Sequence, residues 1–136
     1  PRCAVRAMTR ASSDAVTKAR EYDLVVIGGG SGGVAAAARA TSHGKRVAVV
    51  EAGAWGGTCV NVGCVPKKVM WNASVVAGSI RGASDFGFDV GGAADGAAPR
   101  LDLALLKRRR DAFVSRLNGI YETKLGKRGV DLVEGW

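Results

Sequence analysis

The chain has 136 residues and a mass of 14.0 kDa, and at 47% hydrophobic and 24% charged it has the composition of one ordinary globular domain rather than a disordered chain. Twenty lysines and arginines against twelve acids leave +8, but Arg2, Arg6, Arg10, Lys18 and Arg20 against Asp14 supply half of it and the segment from Lys107 onward the other half, so the neutral middle argues against a nucleic-acid or membrane partner. No apolar run approaches the roughly 18 residues of a spanning helix, three cysteines make no secreted disulfide framework, and the single histidine, His43, leaves no zinc-type ligand set, so no metal is expected.

Residues 1–20 are rich in Arg, Ala and Ser without sustained periodicity, the composition of a transit-peptide remainder or a disordered leader. Cys3 within them reads as an idle thiol, and Met8 as a second start that yields a shorter cytosolic form. A cytoplasmic location is expected, with a mitochondrial or plastid one admitted by the basic leader. The fold is expected over 21–136. Leu24-Val25-Val26-Ile27 predicts a strand, the glycines after it a tight turn, and Ser31 to about His43 an alanine-rich helix closed by Gly44. Arg46 to Glu51 is a second β-branched run, of the kind buried on both faces of a parallel sheet, so the segment reads as one βαβ unit of an α/β fold.

Ala52 to Thr58 is a glycine-rich loop, Cys59 to about Ile80 a helical stretch with Pro66 inside it, and 81–100 a connecting loop with Phe86 and Phe88 as its bulky anchors. Leu105, Leu106, Phe113, Leu117, Ile120, Tyr121 and Leu125 recur at three- and four-residue spacing and predict an amphipathic helix over about 101–125. Val130 to Val133 predicts a last strand. Lys107-Arg108-Arg109-Arg110 reads as the solvated face of that helix rather than a nucleic-acid patch, and Asn72-Ala73-Ser74 as a sequon on a helix in an unsecreted chain.

Gly28-Gly29-Gly30-Ser31-Gly32-Gly33 satisfies G-x-G-x-x-G with Gly28, Gly30 and Gly33. The first glycine permits the turn, the second lets backbone approach a pyrophosphate, and the third packs the helix against the strand, aiming its N-terminal N–H groups at the phosphates. Glu51, at the end of the second strand, stands where a carboxylate accepts hydrogen bonds from the hydroxyls of an adenine ribose and repels a 2′-phosphate. The pattern favours the adenosine half of FAD or NAD over NADP at this site.

Cys59 and Cys64 lie five positions apart. In a straight helix their Cα atoms would be more than about 8 Å apart, whereas a disulfide needs less than about 7 Å. They are therefore either two reduced thiols or a bridge that distorts the first turn, which Gly63 and Pro66 permit. So small a loop adds little stability, and the position after a dinucleotide-binding unit favours a reactive pair. A helix N-terminus with Lys67 and Lys68 beside it would stabilise a thiolate there.

The run from Gly56-Gly57-Thr58-Cys59 through Cys64-Val65-Pro66-Lys67-Lys68 closely resembles the redox-disulfide signature of the pyridine nucleotide-disulfide oxidoreductases, class I. Its continuation, Val69-Met70-Trp71-Asn72, and the run from Arg110 to Tyr121 are similar to the glutathione-reducing branch of that family, more than to the trypanothione or thioredoxin branches. The resemblance covers about residues 21–136. It implies a Rossmann-like FAD-binding domain with a parallel sheet, present here only in its N-terminal portion.

For single residues the resemblance implies FAD held by Gly28, Gly30, Ser31, Gly32 and Gly33, by Glu51 at the ribose, and by Gly57, Thr58, Cys59 and Lys67 along the pyrophosphate and flavin. Cys59 becomes the interchange thiol that attacks glutathione disulfide, and Cys64 the thiol facing the flavin. Lys67 favours the reduced, negative flavin, and Ser31 and Tyr121 contact the substrate. One departure is Ala38, where some members carry an arginine directed to glutathione; here Arg39 is its neighbour. The implied reaction passes electrons from NADPH through FAD to the Cys59–Cys64 disulfide and on to glutathione disulfide, maintaining thiol redox balance. A histidine with a glutamate partner, from the C-terminal domain of the other subunit of a homodimer, would supply the last proton. His43 reads instead as a helix C-terminal residue. Starting at Pro1 and ending at Trp136, the chain is expected to lack the NADPH domain, the rest of the FAD domain and the dimer domain, and to be inactive alone. The other reading is a stand-alone nucleotide-binding module without turnover.

Overall fold

The computed structural model describes residues 3–5, 20–90 and 100–136. The readings of Met8 and of most of the leader lie outside these residues. Cys3–Val5 (β1) pairs antiparallel with Arg20–Tyr22 (β2), so this part of the segment left out of the fold is strand, paired with the chain just before β3.

Leu24–Ile27 (β3), Val47–Glu51 (β4) and Asp131–Glu134 (β5) form a parallel sheet in the order β3-β4-β5. Leu24 pairs with Val47 and Ala48 with Asp131, which brings the C-terminal ends of all three strands to one edge. β4 is central. Val47 and Val49 face a cluster with Ala37, Trp55, Leu125 and Val130, while Ala48 points to the opposite face and is also buried. A strand buried on both faces is what the unbroken apolar run predicts.

Ser31–Ser42 (α1) crosses from β3 to β4, with His43 as its C-cap and Gly44 in the left-handed region. The return from β4 to β5 is longer: Gly57–Asn61 (α2), Cys64–Gly82 (α3), a 3₁₀ turn over Ala83–Phe86, and Leu103–Lys127 (α4). Asp102 caps α4 by accepting from the Leu105 N–H at 2.8 Å. Leu125, 1% exposed, fastens the last turns of α4 to the sheet cluster. Near the other end Lys107 and Arg110 both pair with Asp111, so half of the four-base run is engaged within its own helix.

Three expectations of the helical region change. The first six residues of the expected loop 81–100 are helical, as the end of α3 and the 3₁₀ turn. The stretch from Cys59 to Ile80 is two helices, broken at Val62 and Gly63 ahead of Pro66. Phe86 and Phe88 are 83% and 70% exposed and anchor nothing among the described residues; residues 91–99 lie outside them. No described helix is long and apolar enough to cross a membrane.

Candidate redox-disulfide and dinucleotide site

The glycine turn leaves β3 at Gly28, whose φ of +100° turns the chain while its N–H donates to Val50 O at 2.7 Å. A Cβ on Gly33 would lie 1.9 Å from Gly28 O, so only glycine lets α1 pack this closely on the turn. Ser31 and Gly32, the first two residues of α1, are exposed, and open space surrounds the Cβ position of Gly32. No side chain caps α1, and its first turn holds no acid, so its N-terminal N–H groups keep their donor capacity for an anionic ligand.

Glu51 is fixed by both carboxylate oxygens. Gly29 N–H donates to Oε2 at 2.7 Å and Gly53 N–H to Oε1 at 2.8 Å, which ties the end of β4 to the turn. Each oxygen keeps a second lone pair, the acceptor capacity that two ribose hydroxyls require. The glycine cradle, the uncapped helix start and the half-buried carboxylate all fit the adenosine and pyrophosphate of a dinucleotide.

The loop after Glu51 returns to the turn. Gly56 N–H donates to Gly29 O at 2.9 Å, Gly30 and Gly56 form a parallel bridge, and a Cβ on Gly57 would come within 2.8 Å of Gly30 Cα. Backbone rests on backbone here, and glycine at both positions allows it. The start of α2 therefore lies against the start of α1, with Thr58 exposed and Cys59 half-buried one and two residues further on. Trp55, 4% exposed in this loop, fills the space above Gly29 that any side chain there would take.

Cys59 and Cys64 form a disulfide with their Cα atoms 5.1 Å apart. The elbow between α2 and α3 makes this possible: a Cβ on Gly63 would lie 2.8 Å from Thr58 O and 3.1 Å from Cys59 Cα. Cys64 is the first residue of α3 and exposed, with its Sγ 3.6 Å from Cys59 O. Neither α2 nor α3 has a side-chain cap or an acid in its first turn, so no carboxylate of those turns competes with their free N-terminal N–H groups. Lys67 and Lys68 are exposed in the first turns of α3, and the Lys68 ammonium sits 4.4 Å above the Trp71 ring.

Two amides that sequence reasoning passed over hold this assembly. Asn61 Nδ2 donates to Gly57 O at 2.9 Å and lies within bonding distance of Ala54 O and Trp55 O. Asn118 of α4 donates to Trp55 O and to Asn61 Oδ1. A cleft of about 520 Å³ opens beside the elbow, between Asn61, Val62 and Pro66 on one side and Arg110, Val114 and Asn118 on the other. Tyr121 is half-buried against the core cluster, and Ala38 O accepts from Arg128 Nη1 at 3.3 Å.

Residues 22–136 match the family described as pyridine nucleotide-disulphide oxidoreductase. The chain belongs to that family. It is 59% identical over 116 residues to a glutathione reductase of Yarrowia lipolytica and 48% identical over 115 residues to a glutathione reductase of Schizosaccharomyces pombe. These matches cover 85% and 84% of the chain but 24% of each relative, so the chain spans about a quarter of the length of the curated relatives it matches.

Proposed function

We propose that the chain supplies the FAD-binding turn and the redox disulfide of an NADPH-dependent flavoprotein that reduces glutathione disulfide to glutathione. The observation that carries this reading is the Cys59–Cys64 bridge at the α2–α3 elbow, with the start of α2 resting on the phosphate turn. The names of the two relatives support the substrate.

In this reading the α1 N-terminus at Gly30 to Gly33, with Ser31, binds the pyrophosphate and Glu51 the ribose, while Gly57, Thr58, Cys59 and Lys67 follow the cofactor towards the flavin. FAD, held there, would supply the two electrons, originating in NADPH, that opening of the disulfide requires. Cys64 leads the longer helix, whose N-terminal end favours the nucleophilic thiolate form of its sulfur. The Cys59 thiolate attacks one sulfur of glutathione disulfide, forming a mixed disulfide and releasing one glutathione. Cys64 then attacks the Cys59 sulfur, which restores the bridge and releases the second glutathione, each leaving sulfur taking up one proton. Tyr121 borders the peptide, and a second copy in a homodimer supplies the acid.

The test uses a full-length protein containing this segment, with NADPH oxidation followed at saturating glutathione disulfide. Cys59→Ser should retain the flavin and lose turnover by about 10³-fold or more. Turnover by Cys59→Ser at the parent rate, or a parent protein inactive on glutathione disulfide yet active on another disulfide, would refute the reading.

A further inference from the structure

Asn61 lies between the two cysteines, on the short helix that carries Cys59 and one residue before the elbow. Its Nδ2 group reaches back to the carbonyls of Ala54, Trp55 and Gly57 at 2.9–3.2 Å, and its Oδ1 accepts from Asn118 Nδ2 at 3.0 Å. Asn118 gives its other hydrogen to Trp55 O. One amide pair thus closes a ring through the approach loop, α2 and α4, and α3 packs on the same α4. No atom of this ring belongs to the disulfide, so its hydrogen bonds do not depend on the bridge being closed.

We propose that Asn118, acting through Asn61, is a positioning residue that holds Cys59 and Cys64 within reach of each other in the dithiol state and so sets their redox equilibrium. The inference rests on these cysteines being a reversible redox pair, as in the function proposed above, but not on which disulfide they reduce. Opening the bridge takes two electrons and two protons and yields two thiols. In exchange with an external dithiol, one bridge opens as the other closes. The equilibrium then measures the effective concentration of the two thiols towards each other. The cross-linked form is held by its covalent bond whether or not the amides are present, whereas the dithiol is held by the amides and the packing. Removing the amides frees the dithiol more than the disulfide, so the dithiol gains population.

The experiment equilibrates the full-length flavoprotein in dithiothreitol redox buffers, quenches with acid, alkylates, and counts modified cysteines in the 59–64 peptide by mass spectrometry. Asn118→Leu, which keeps the volume and removes both donated bonds, and Asn118→Ala should each shift the equilibrium about tenfold towards the dithiol, a potential about 30 mV less negative. Asn61→Ala should give a similar shift, and the double variant Asn61→Ala/Asn118→Ala no more than the larger single one, because the two act as one device. Ser115→Ala, one turn away on α4 and lining the same cleft, should match the parent. An unchanged or more negative potential in the Asn118 variants overturns the proposal, as do additive shifts in the double variant. So does a lower thermal midpoint with an unmoved potential, which marks a purely structural role. Should Asn118→Leu fail to fold, Asn118→Ala and Asn61→Ala carry the same prediction. Glutathione turnover is not read, so a shifted potential in a protein inactive on glutathione disulfide would refute the substrate reading and leave this one standing.

Discussion

Gly57 shows how a single residue connects the two halves of the site. With φ of +61° and a would-be Cβ 2.8 Å from Gly30 Cα, it stands where backbone must touch backbone. Gly57→Ala should therefore cost about 2 kcal/mol or more, from the left-handed φ and from a neighbour that cannot rotate away. Gly32→Ala, with nothing within 4 Å and no positive φ, should change stability by less than about 1 kcal/mol. Chemical denaturation of the two variants in the same full-length background checks the contrast, and equal losses would mean that the contact between Gly30 and Gly57 contributes nothing. The G-x-G-x-x-G spacing and Glu51 were legible in the sequence because the turn, helix and acid lie within one βαβ unit. The roles of Trp55, Asn61 and Asn118 were not. An amide that bonds a residue 57 positions away leaves no local pattern, and a tryptophan in a glycine-rich loop gives no sign that it covers Gly29.

At the scale of elements, the α2–α3 elbow is the feature that the sequence pointed to but did not locate. Periodicity runs through Cys59 to Ile80 as one helix, and Pro66 is its most conspicuous breaker. Pro66, however, is the third residue of α3, where a backbone N–H has no partner within the helix, so it is tolerated and breaks nothing. The break falls at Val62 and Gly63, where the chain approaches Thr58 O too closely for a side chain. Gly63→Ala should thus leave a measurable fraction of Cys59 and Cys64 unbridged after air oxidation, while Pro66→Ala should oxidise as the parent does. Titration of free thiols in the denatured proteins distinguishes the two, and a fully bridged Gly63→Ala protein would contradict the packing account. The strands and α4 were legible to within a few residues because their β-branched runs and three- and four-residue spacings are long. The strands at Cys3–Val5 and Arg20–Tyr22 were not, because runs of three residues carry no period and each pairs only with the other, across the segment between them.

For the molecule as a whole, β2 and the last strand, β5, are joined by the Tyr22 hydroxyl, which donates to Asp131 Oδ2 at 2.7 Å, with Arg20 on the same carboxylate at 3.3 Å. Burial, then the hydrogen bond to Asp131, hold the Tyr22 phenol above its ordinary value of about 10, although Arg20 opposes the shift. The folded state thus favours the neutral phenol. Its contribution is complete below pH about 10 and is lost as the pH rises through the raised folded-state value. Denaturation midpoints for Tyr22→Phe should fall less than the parent's over that alkaline range, and parallel decline would remove Tyr22 from the account.

In the function proposed above, the dinucleotide turn and the Cys59–Cys64 disulfide form one electron-transfer unit. This is tested most directly by anaerobic addition of one equivalent of NADPH to the full-length flavoprotein, followed by alkylation and mass spectrometry. Two new labels are expected, on Cys59 and Cys64, and none on either cysteine when Glu51→Ala or Gly57→Ala has emptied the FAD site. Labels that fail to appear in the flavin-loaded parent, or that appear equally in the flavin-free variants, would contradict the proposed function.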